Sequence, residues 1–560
     1  MTSDKDARSA AQVLIRQLEL NGIEHIFCVP GESYLPVLDA LVGSPISVTV
    51  CRQEGGAAMM AEAHGKLTGR PAVCMVTRGP GATNAMPGIH IAQHDSTPLL
   101  LFVGQVERGM RGRGALQEMD YEALFGSVAK WVVEIDDADR IPEMISRAMH
   151  MSMSGRPGPV VLSLPEDMLA QLTHAPDAPA ASLIAAHPAP HQIERVGEML
   201  ARAQRPVAIL GGSRWTPETF EQFARLAEDW GLPTTVSLRR QMLISTEHPA
   251  FIGDLGFGTN PKLVEIVADA DLILAIGTRL SEVPSQSYTL LDIPSPKQTL
   301  IHVHPDPSEL GRVYAPTLGI AAAPSDFVGA LAELSAVESD ARPAFLERAR
   351  AEYLRWRDPG SVRTPGRLQM AEIMTFLNDT LPPDAILCNG AGNFATWVHR
   401  FYRFRAFATQ LAPTSGSMGY GVPAAIGAKR LWPGKTVIAF AGDGDFLMNG
   451  QEFATAVQYD LPIIVILVDN GMYGTIRMHQ ERDFPGRVIA TDLRNPDFAA
   501  YAAAFGGFGV RVEDSADFPD AFARAVASGK PAIIHCILDK EAITPARTLT
   551  EIRESAAPSP

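Results

Sequence analysis

Short apolar runs recur along the whole chain, and stretches with a helical pattern separate them. The first part contains HIFCVP, AVCMVT, PLLLFVG and PVVLSLP, and the last part contains AILCNG, TVIAFAGDGD, PIIVILVDN and PAIIHCIL. Apolar runs without polar alternation predict parallel strands that are buried on both faces, with the intervening helices covering the sheets. The sequence therefore predicts an α/β fold of doubly wound parallel sheets.

The length of the chain requires more than one hydrophobic core. A single core stops growing near about 250–300 residues, and this chain has 560. Two stretches without apolar periodicity, LTHAPDAPAASLIAAHPAPHQ and RDPGSVRTPGR, are typical of linkers. We expect three consecutive α/β domains, at residues 1–180, 190–340 and 365–545.

Composition and charge argue against several classes of protein. The chain has 48 Lys and Arg against 63 Asp and Glu, and a net charge of −15 disfavours nucleic acid or an anionic membrane as a main partner. Its five cysteines are widely spaced and form no CxxC motif, which argues against a disulfide scaffold or a zinc ribbon. No apolar run reaches the roughly 18 residues of a membrane span, and the N-terminal stretch lacks a signal-peptide pattern. We expect a cytoplasmic protein.

The most informative segment joins two buried strands that end in polar clusters. The strand TVIAFA runs into GDGD, which contains Asp443, and the strand IIVILV ends at Asp469-Asn470. Ligands of open parallel sheets bind at the carboxyl ends of strands, where right-handed crossovers can place these clusters side by side. Carboxylate and amide oxygens suit a hard cation such as Mg²⁺ or Ca²⁺, and glycines let backbone N–H groups approach a phosphate. The pattern predicts a diphosphate that a metal ion bridges to the protein.

Turn chemistry is the simpler interpretation of each cluster alone, because Asp, Asn and Gly are ordinary turn residues. The spacing favours a ligand site, since Asn470 follows Asp443 by 27 residues with a strand–turn–helix–strand pattern between them. This interval resembles the diphosphate-binding signature of thiamine diphosphate (ThDP) enzymes. The resemblance extends over most of the chain and points to the acetolactate synthase large-subunit branch. The supporting stretches are VPGESYLPVLDAL, TRGPGATNAMPGI, GRPGPVVLSLPEDM, SMGYGVPAAIGAK and MNGQE.

The resemblance implies which residues hold the metal and the diphosphate. Asp443, Asn470 and the backbone carbonyl of Met472 would coordinate Mg²⁺. Asp469 replaces the first Asn of the family's pair, while Asn470 keeps the second, which supplies the metal ligand. Asp445 receives only a backbone role, because a carboxylate beside a diphosphate is repulsive. Further backbone groups toward the cofactor are implied for Gly392, Asn393, Phe394 and Gly444, with Asn393-Phe394 standing where the family usually has Gln-His.

The resemblance also implies three residues that act on the reacting rings. Glu54, in CRQEGGAAMMAEAHGKLTG, would hold N1′ of the aminopyrimidine and stabilise its imino form, whereas a Glu in a first helical turn is otherwise a dipole partner. Met418 would lie beneath the cofactor and force its bent shape, and Gly416 and Met418 would offer backbone groups to the pyrimidine. A Met that fills a core gap is the alternative. Gln117 matches a family position that faces the reacting carbon.

The activity that the resemblance implies is decarboxylation of a small-molecule 2-oxo acid with carboligation to a carbonyl acceptor. In this family an acidic residue of one subunit completes the site of another, which implies a homodimer or homotetramer with active sites at the subunit interface. Val283 stands where the branch has an Arg for the acceptor's carboxylate, and His479 stands where it has a Trp. A simple 2-oxo acid decarboxylase, a C–C lyase and a catalytically silent binding protein remain alternatives.

A flavin in the middle domain is the other cofactor to consider. The biosynthetic enzymes of the branch bind FAD there. The missing Arg at Val283 and the altered stretch IGDLGFGT argue against FAD in this chain. Gly211-Gly212, after the run PVAIL, is too short a pattern to indicate a nucleotide site by itself.

Overall fold

The computed structural model describes residues 7–337 and 339–556, which form two compact units. The first unit comprises the chain up to Ile184 together with Ile426–Leu431, and the second comprises Ala185–Ala425 and the chain from Trp432 onward. Three six-stranded sheets, each fully parallel, carry helices in their crossovers. This architecture confirms the predicted α/β class with three doubly wound sheets.

The first unit contains one of these sheets. The strands of the first unit are β1 (Arg8–Ser9), β2 (His25–Cys28), β3 (Ser47–Val50), β4 (Ala72–Val76), β5 (Leu99–Gln105), β6 (Trp131–Glu134), β7 (Pro159–Pro165) and β8 (Leu172–Thr173). Its helices are α1 (Ala10–Leu20), α2 (Leu35–Ala40), α3 (Glu54–Thr68), α4 (Pro80–Asp95), α5 (Tyr121–Phe125), α6 (Ile141–Met153) and α7 (Glu166–Leu169). The sheet has the order β3-β2-β4-β5-β7-β6, and β1 pairs with β8 in a separate antiparallel ribbon.

Small residues bring α3 and α4 into close contact in the first unit. An added Cβ on Gly88 would lie only 2.4 Å from the Cβ of Ala58, so no larger residue fits between the two helices. The strands β4, β5 and β7 behind them are buried at every position, as their uninterrupted apolar runs predict. Glu54, the first residue of α3, is therefore carried on a rigidly packed helix.

The second unit contains two sheets. The strands of the first are β9 (Pro206–Leu210), β10 (Thr234–Ser237), β11 (Phe251–Leu255), β12 (Leu272–Ile276), β13 (Thr299–His304) and β14 (Leu318–Ala321). Those of the second are β15 (Ile386–Asn389), β16 (Gln410–Leu411), β17 (Val437–Gly442), β18 (Ile464–Asp469), β19 (Phe508–Val512) and β20 (Ala532–Ile537).

Fourteen helices accompany these two sheets along the described chain. They are α8 (Pro190–Arg202), α9 (Pro217–Asp229), α10 (Pro261–Ala268), α11 (Pro324–Leu331), α12 (Arg342–Trp356), α13 (Met370–Thr380), α14 (Phe394–Phe401), α15 (Gly421–Leu431, which ends in residues of the first unit), α16 (Asp443–Asn449), α17 (Phe453–Gln458), α18 (Gly474–Asp483), α19 (Phe498–Ala504), α20 (Phe518–Ala527) and α21 (Leu549–Glu554). No helix among the described residues is long and apolar enough to cross a membrane.

The strand order of each sheet in the second unit reverses at one place. The orders are β11-β10-β9-β12-β13-β14 and β16-β15-β17-β18-β20-β19. Chain connections leave in opposite directions from β9 and β12, and likewise from β15 and β17, which opens a crevice at the carboxyl ends of each pair. These two crevices are the expected places for ligands.

The cysteines take no part in cross-linking. All five are buried, and none forms a disulfide. Burial raises the pKa of the Cys28 thiol to about 11 and that of Cys536 to about 12. These side chains therefore act as small apolar core residues.

Candidate functional site

A cavity of about 230 Å³ lies at the carboxyl ends of β15, β17 and β18, where the strand order of the sheet reverses. Its walls come from the loops that follow these strands, from the 416–418 loop and from α18. Most of the residues singled out from the sequence meet here. They are Gly392, Asn393, Phe394, Gly416, Met418, Asp443, Gly444, Asp445, Asn470 and Met472.

Asp443 is the buried carboxylate of this cavity, with only 3% of the residue exposed. Its Oδ2 accepts a hydrogen bond from Asn495 Nδ2 at 2.7 Å. Burial, and then the nearby charge of Asp469, raise the pKa of Asp443 to about 6. A buried carboxylate beside a second carboxylate is stabilised by a cation, so this environment fits a bound divalent metal.

The atoms near Asp443 that could bind a metal ion are oxygens. Among the described residues, no group of three or more His, Cys, Asp or Glu side chains is arranged to hold a metal ion. A cation would thus depend on the carboxylate of Asp443, the amide of Asn470, the carbonyl of Met472 and oxygens of the ligand itself. Hard oxygen donors with few protein ligands fit Mg²⁺, which is commonly bound by one or two carboxylates together with phosphates.

Asp469, the departure from the family's Asn pair, is fully engaged by other groups. Its Oδ1 accepts hydrogen bonds from the Gly471 N–H at 2.9 Å and from Asn495 Nδ2 at 2.8 Å, and its Oδ2 accepts from His535 Nε2 at 2.9 Å. Burial opposes the charged form, but the bonds from His535 and Asn495 hold the pKa of Asp469 below its usual range. The sequence interpretation missed Asn495 and His535, because no motif marks either residue.

Glycine is required where aromatic rings pack on the cavity wall. An added Cβ on Gly444 would lie 2.6 Å from Cε1 of Tyr473, and one on Gly442 would lie 2.8 Å from Cδ1 of Phe394. The backbone of the GDG turn is therefore held against two rings, and no side chain separates it from the cavity.

Asn393 is tied to α18 in this structure. The backbone N–H of Asn393, predicted to face the diphosphate, donates to Oγ1 of Thr475 at 3.1 Å. The Thr475 hydroxyl in turn donates to Oδ1 of Asn393 at 3.0 Å. These reciprocal bonds fasten the start of α14 to the start of α18, and thus join two walls of the cavity.

The side chain of Asp445 has a role that the sequence interpretation did not assign. Its Oδ1 accepts hydrogen bonds from the backbone N–H of Ala391 at 3.0 Å and of Gly419 at 2.8 Å. Burial raises the pKa of Asp445 to about 7. Gly390 leaves room for this carboxylate, since an added Cβ there would lie 2.0 Å from Oδ1. One oxygen thus joins the loop that carries Gly392 to the loop that carries Met418.

Met418 lies in a glycine-rich loop and lines the cavity while remaining partly exposed. Gly416 adopts a left-handed φ of 71° and its N–H donates to the Pro413 carbonyl at 3.1 Å, which turns the chain just before Met418. The Met418 side chain is therefore part of the cavity wall and does not fill a core gap.

The first unit holds the two remaining predicted residues. Glu54 Oε2 accepts a hydrogen bond from Asn84 Nδ2 on α4 at 3.0 Å. Gln117 has a left-handed φ of 64°, and its carbonyl oxygen would lie 2.9 Å from an added Cβ on Gly79, just before α4. Glu54 and Gln117 thus both border the N-terminal part of α4.

The crevice between β9 and β12 has a different character. Trp215 Nε1 donates to the carbonyl of Gly211 at 2.8 Å, and Arg240 Nε donates to the carbonyl of Gly212 at 2.9 Å. An added Cβ on Gly212 would lie 2.1 Å from the carbonyl oxygen of Gly277, so the loops after the two strands touch. The carbonyls of both glycines thus bond to side chains of the chain itself.

Comparison with known protein families covers most of the chain. Three models of thiamine pyrophosphate enzymes match it: the N-terminal TPP binding domain at residues 8–124, the central domain at 193–331 and the C-terminal TPP binding domain at 390–536. Glu54 and Gln117 lie in the first match, and Asp443 and Asn470 lie in the third.

Several curated proteins of similar sequence are named as acetolactate synthases. The acetolactate synthase of Mycobacterium bovis is 33% identical over 559 residues, which is 95% of this chain and 88% of the relative. The probable acetolactate synthase large subunit of Methanocaldococcus jannaschii is 30% identical over 544 residues, 94% of this chain and 92% of the relative. The acetolactate synthase isozyme 2 large subunit of Escherichia coli K12 is 29% identical over 538 residues, 95% of this chain and 96% of the relative.

Proposed function

Because this chain belongs to the thiamine pyrophosphate enzyme family, we propose that it is an acetolactate synthase-like enzyme that decarboxylates a 2-oxo acid and joins the remaining fragment to a carbonyl acceptor. One observation carries the proposal: the switch-point cavity gathers Asp443, Asn470 and Met418 on walls of glycine-rich backbone. The similarity to acetolactate synthases over 95% of the chain supports the same activity. The retention of Glu54 and Met418 beside Asp443 and Asn470 argues against a catalytically silent binding protein.

Each group of residues has one task in this proposal. ThDP, when bound, supplies the nucleophilic carbon and the electron sink that decarboxylation requires. Asp443, Asn470 and the Met472 carbonyl hold Mg²⁺ against the diphosphate. Glu54 holds a proton at N1′ of the aminopyrimidine, and Met418 supports the ring pair from below. Gly392, Phe394, Gly444 and Asp445 would offer backbone N–H groups to the diphosphate, and Gly416 and Met418 would offer backbone groups to the pyrimidine. Asn393, whose N–H donates to Thr475 in this structure, would have to release that bond to serve as a further donor.

The assembly and the location of the protein extend the same proposal. Glu54 and Gln117 of one copy act on the cofactor that a second copy anchors, so the active form is a homodimer or homotetramer. We propose that the three α/β domains span residues 1–180, 190–340 and 365–545. Five buried thiols without disulfides support a reducing, cytoplasmic setting.

The lining of the cavity favours a second candidate for the final step. The described residues that line it include no Lys or Arg, and Ile476 and Ile543 contribute apolar surface. An acceptor that carries a carboxylate has no cation to pair with on these walls. This supports an uncharged aldehyde acceptor, or a proton, in which case the enzyme is a simple decarboxylase or operates as a C–C lyase.

FAD is not part of the proposed enzyme. Val283 stands where the branch has an Arg and the stretch IGDLGFGT is altered, and both features support an enzyme without FAD. Purified protein should therefore show no flavin absorbance near 450 nm, and stoichiometric flavin would contradict this part of the proposal.

The decisive experiment is a panel of 2-oxo acids with ThDP and Mg²⁺, in which CO₂ and carbon products are recorded with and without an aldehyde acceptor. A product that requires the acceptor supports carboligation, and free aldehyde alone supports the decarboxylase. Glu143→Gln, on an exposed helix face of the first unit, is the matched control for Glu54→Gln. Absence of both CO₂ release and calorimetric ThDP uptake would refute the proposed function.

A further inference from the structure

A chain of hydrogen bonds runs behind the proposed metal ligand. His535 Nε2 donates to Asp469, and Asn495 Nδ2 donates both to Asp469 at 2.8 Å and to Asp443 at 2.7 Å. Asp469 and His535 lie on the neighbouring strands β18 and β20, where Asp469 pairs with Ile537 in the register. This series of hydrogen bonds thus starts on the strands of the sheet and ends at the cavity.

We propose that Asn495 is a positioning residue for the metal ligand Asp443, and that Asp469 and His535 hold Asn495 in place. The proposal rests on the proposed function, since it concerns how this protein prepares its site for Mg²⁺ and the diphosphate.

The amide of Asn495 lies between two carboxylates that would otherwise repel each other. Its NH₂ group has two hydrogens, and each is directed at a different acid, Asp443 and Asp469. A shared donor reduces the repulsion between the acids and fixes the orientation of the Asp443 carboxylate. A ligand whose direction is set before the metal arrives binds it more tightly, which is the usual effect of groups behind a metal's own ligands.

The same contacts explain why an Asp stands at position 469. Both of its oxygens face donors: Oδ1 meets Asn495 and the Gly471 N–H, and Oδ2 meets His535 Nε2. A carboxylate can only accept, so His535 must carry its proton on Nε2. An Asn at position 469 would direct its NH₂ group at His535 Nε2, so the imidazole proton would have to move to Nδ1, which is buried without a hydrogen-bond partner.

The position of His535 is itself fixed by packing. The residue is only 2% exposed, and its ring meets that of Phe498 edge-on at 5.1 Å between centroids. Since His535 cannot turn without breaking this contact, it defines where Asp469 must lie. Asp469 in turn shapes the Gly471 turn that presents Asn470 to the cavity.

The first test is Asn495→Ala in the full-length protein, with Mg²⁺ titrated by calorimetry at saturating ThDP. We expect the Mg²⁺ dissociation constant to rise by about 10- to 100-fold, while turnover at saturating Mg²⁺ stays within a few-fold of the native protein. Asn378→Ala is the control, because Asn378 is a buried amide with two hydrogen bonds, to the Phe401 carbonyl and from the Arg403 N–H, outside the cavity. It should lower the thermal midpoint and leave the Mg²⁺ affinity unchanged.

The second test separates this inference from the family pattern. Asp469→Asn recreates the usual Asn pair, yet we expect it to weaken Mg²⁺ binding, because the facing His535 must then hold its proton on the unpartnered Nδ1. Combining it with His535→Gln, whose amide oxygen has the reach of the imidazole Nε2, supplies an acceptor for that contact and should recover most of the affinity.

The outcomes discriminate clearly. Unchanged Mg²⁺ affinity in Asn495→Ala, or native affinity in Asp469→Asn, would overturn the inference. The thermal midpoint of each variant shows whether it has folded. Asn495 is partly exposed, so we expect Asn495→Ala to fold. This variant therefore tests the inference even if a variant with a substitution on a strand does not fold. Failure of the native protein itself to bind ThDP with Mg²⁺ would instead contradict the proposed function.

Discussion

The carboxylate of Asp445 offers a direct test of how the cavity loops are held. Both of its loop contacts, from the N–H groups of Ala391 and Gly419, end on Oδ1. Asp445→Ala removes this acceptor, whereas Asp445→Asn keeps an oxygen in the same place. Both variants are uncharged, so any gain from no longer burying a carboxylate cancels when the two are compared.

The expected difference follows from the two contacts. A buried donor left without an acceptor costs about 1–3 kcal/mol, so Asp445→Ala loses about 2–6 kcal/mol through two N–H groups. Asp445→Asn keeps both bonds but buries an NH₂ at the position of Oδ2, which has no hydrogen-bond partner, at a cost of about 1–3 kcal/mol. The Asn variant should therefore be more stable by about 1–3 kcal/mol.

Thermal unfolding and ThDP titration by calorimetry measure the two consequences. We expect a higher midpoint for Asp445→Asn than for Asp445→Ala, and a ThDP affinity at least tenfold weaker in the Ala variant, because its 391 and 419 loops are no longer joined. Equal stability and equal ThDP affinity in the two variants would show that these hydrogen bonds do not organise the cavity.

Three further predictions concern other residues of the two units. Gly390→Ala should weaken ThDP binding at least tenfold, because the new Cβ would lie 2.0 Å from Asp445 Oδ1; Gly434→Ala, in open space, should change nothing. Burial, and then Arg239, hold the pKa of His399 at about 3 against 6.5, so stability should fall as pH drops from 6.5 toward 3, by up to about 1.4 kcal/mol per pH unit. If denaturation measurements showed the free energy of unfolding of His399→Gln falling with pH as steeply as that of the native protein, this prediction would be contradicted. Glu54→Gln should lower kcat about 100-fold or more with ThDP binding retained, and kinetics with near-native turnover would exclude its role at N1′.

The fold could be predicted where strands are covered on both faces. The apolar runs predicted the central strands, such as β4, β5 and β17, because both faces of these strands meet helices. Seven strands went unrecognised. Five of them, β6, β11, β14, β16 and β19, lie at the edge of a six-stranded sheet, and the other two, β1 and β8, form the separate antiparallel ribbon. An edge strand such as β6 is half exposed along its length, so its sequence WVVE carries a weaker signal.

Some residues of the candidate site could also be predicted from the sequence, and others could not. Asp443 and Asn470 could be found because each follows a buried strand, and the ends of neighbouring parallel strands lie together. Asn495 and His535 could not be found, because their roles come from side-chain hydrogen bonds to residues that are distant in the chain. The sequence indicated no side-chain role for Asp445 toward the cofactor, and the partners of its carboxylate, two backbone N–H groups from separate loops, are visible only in the structure.

The burial of every cysteine has a practical consequence for future work on this protein. Thiolates are the form that reacts with alkylating probes, and burial raises the pKa of Cys28 to about 11 and that of Cys536 to about 12, so both thiols stay protonated at neutral pH. A single cysteine introduced on the surface would then be the preferred point of attachment for a fluorophore or spin label. Distances between copies could be measured in this way without first removing the native sulfhydryl groups.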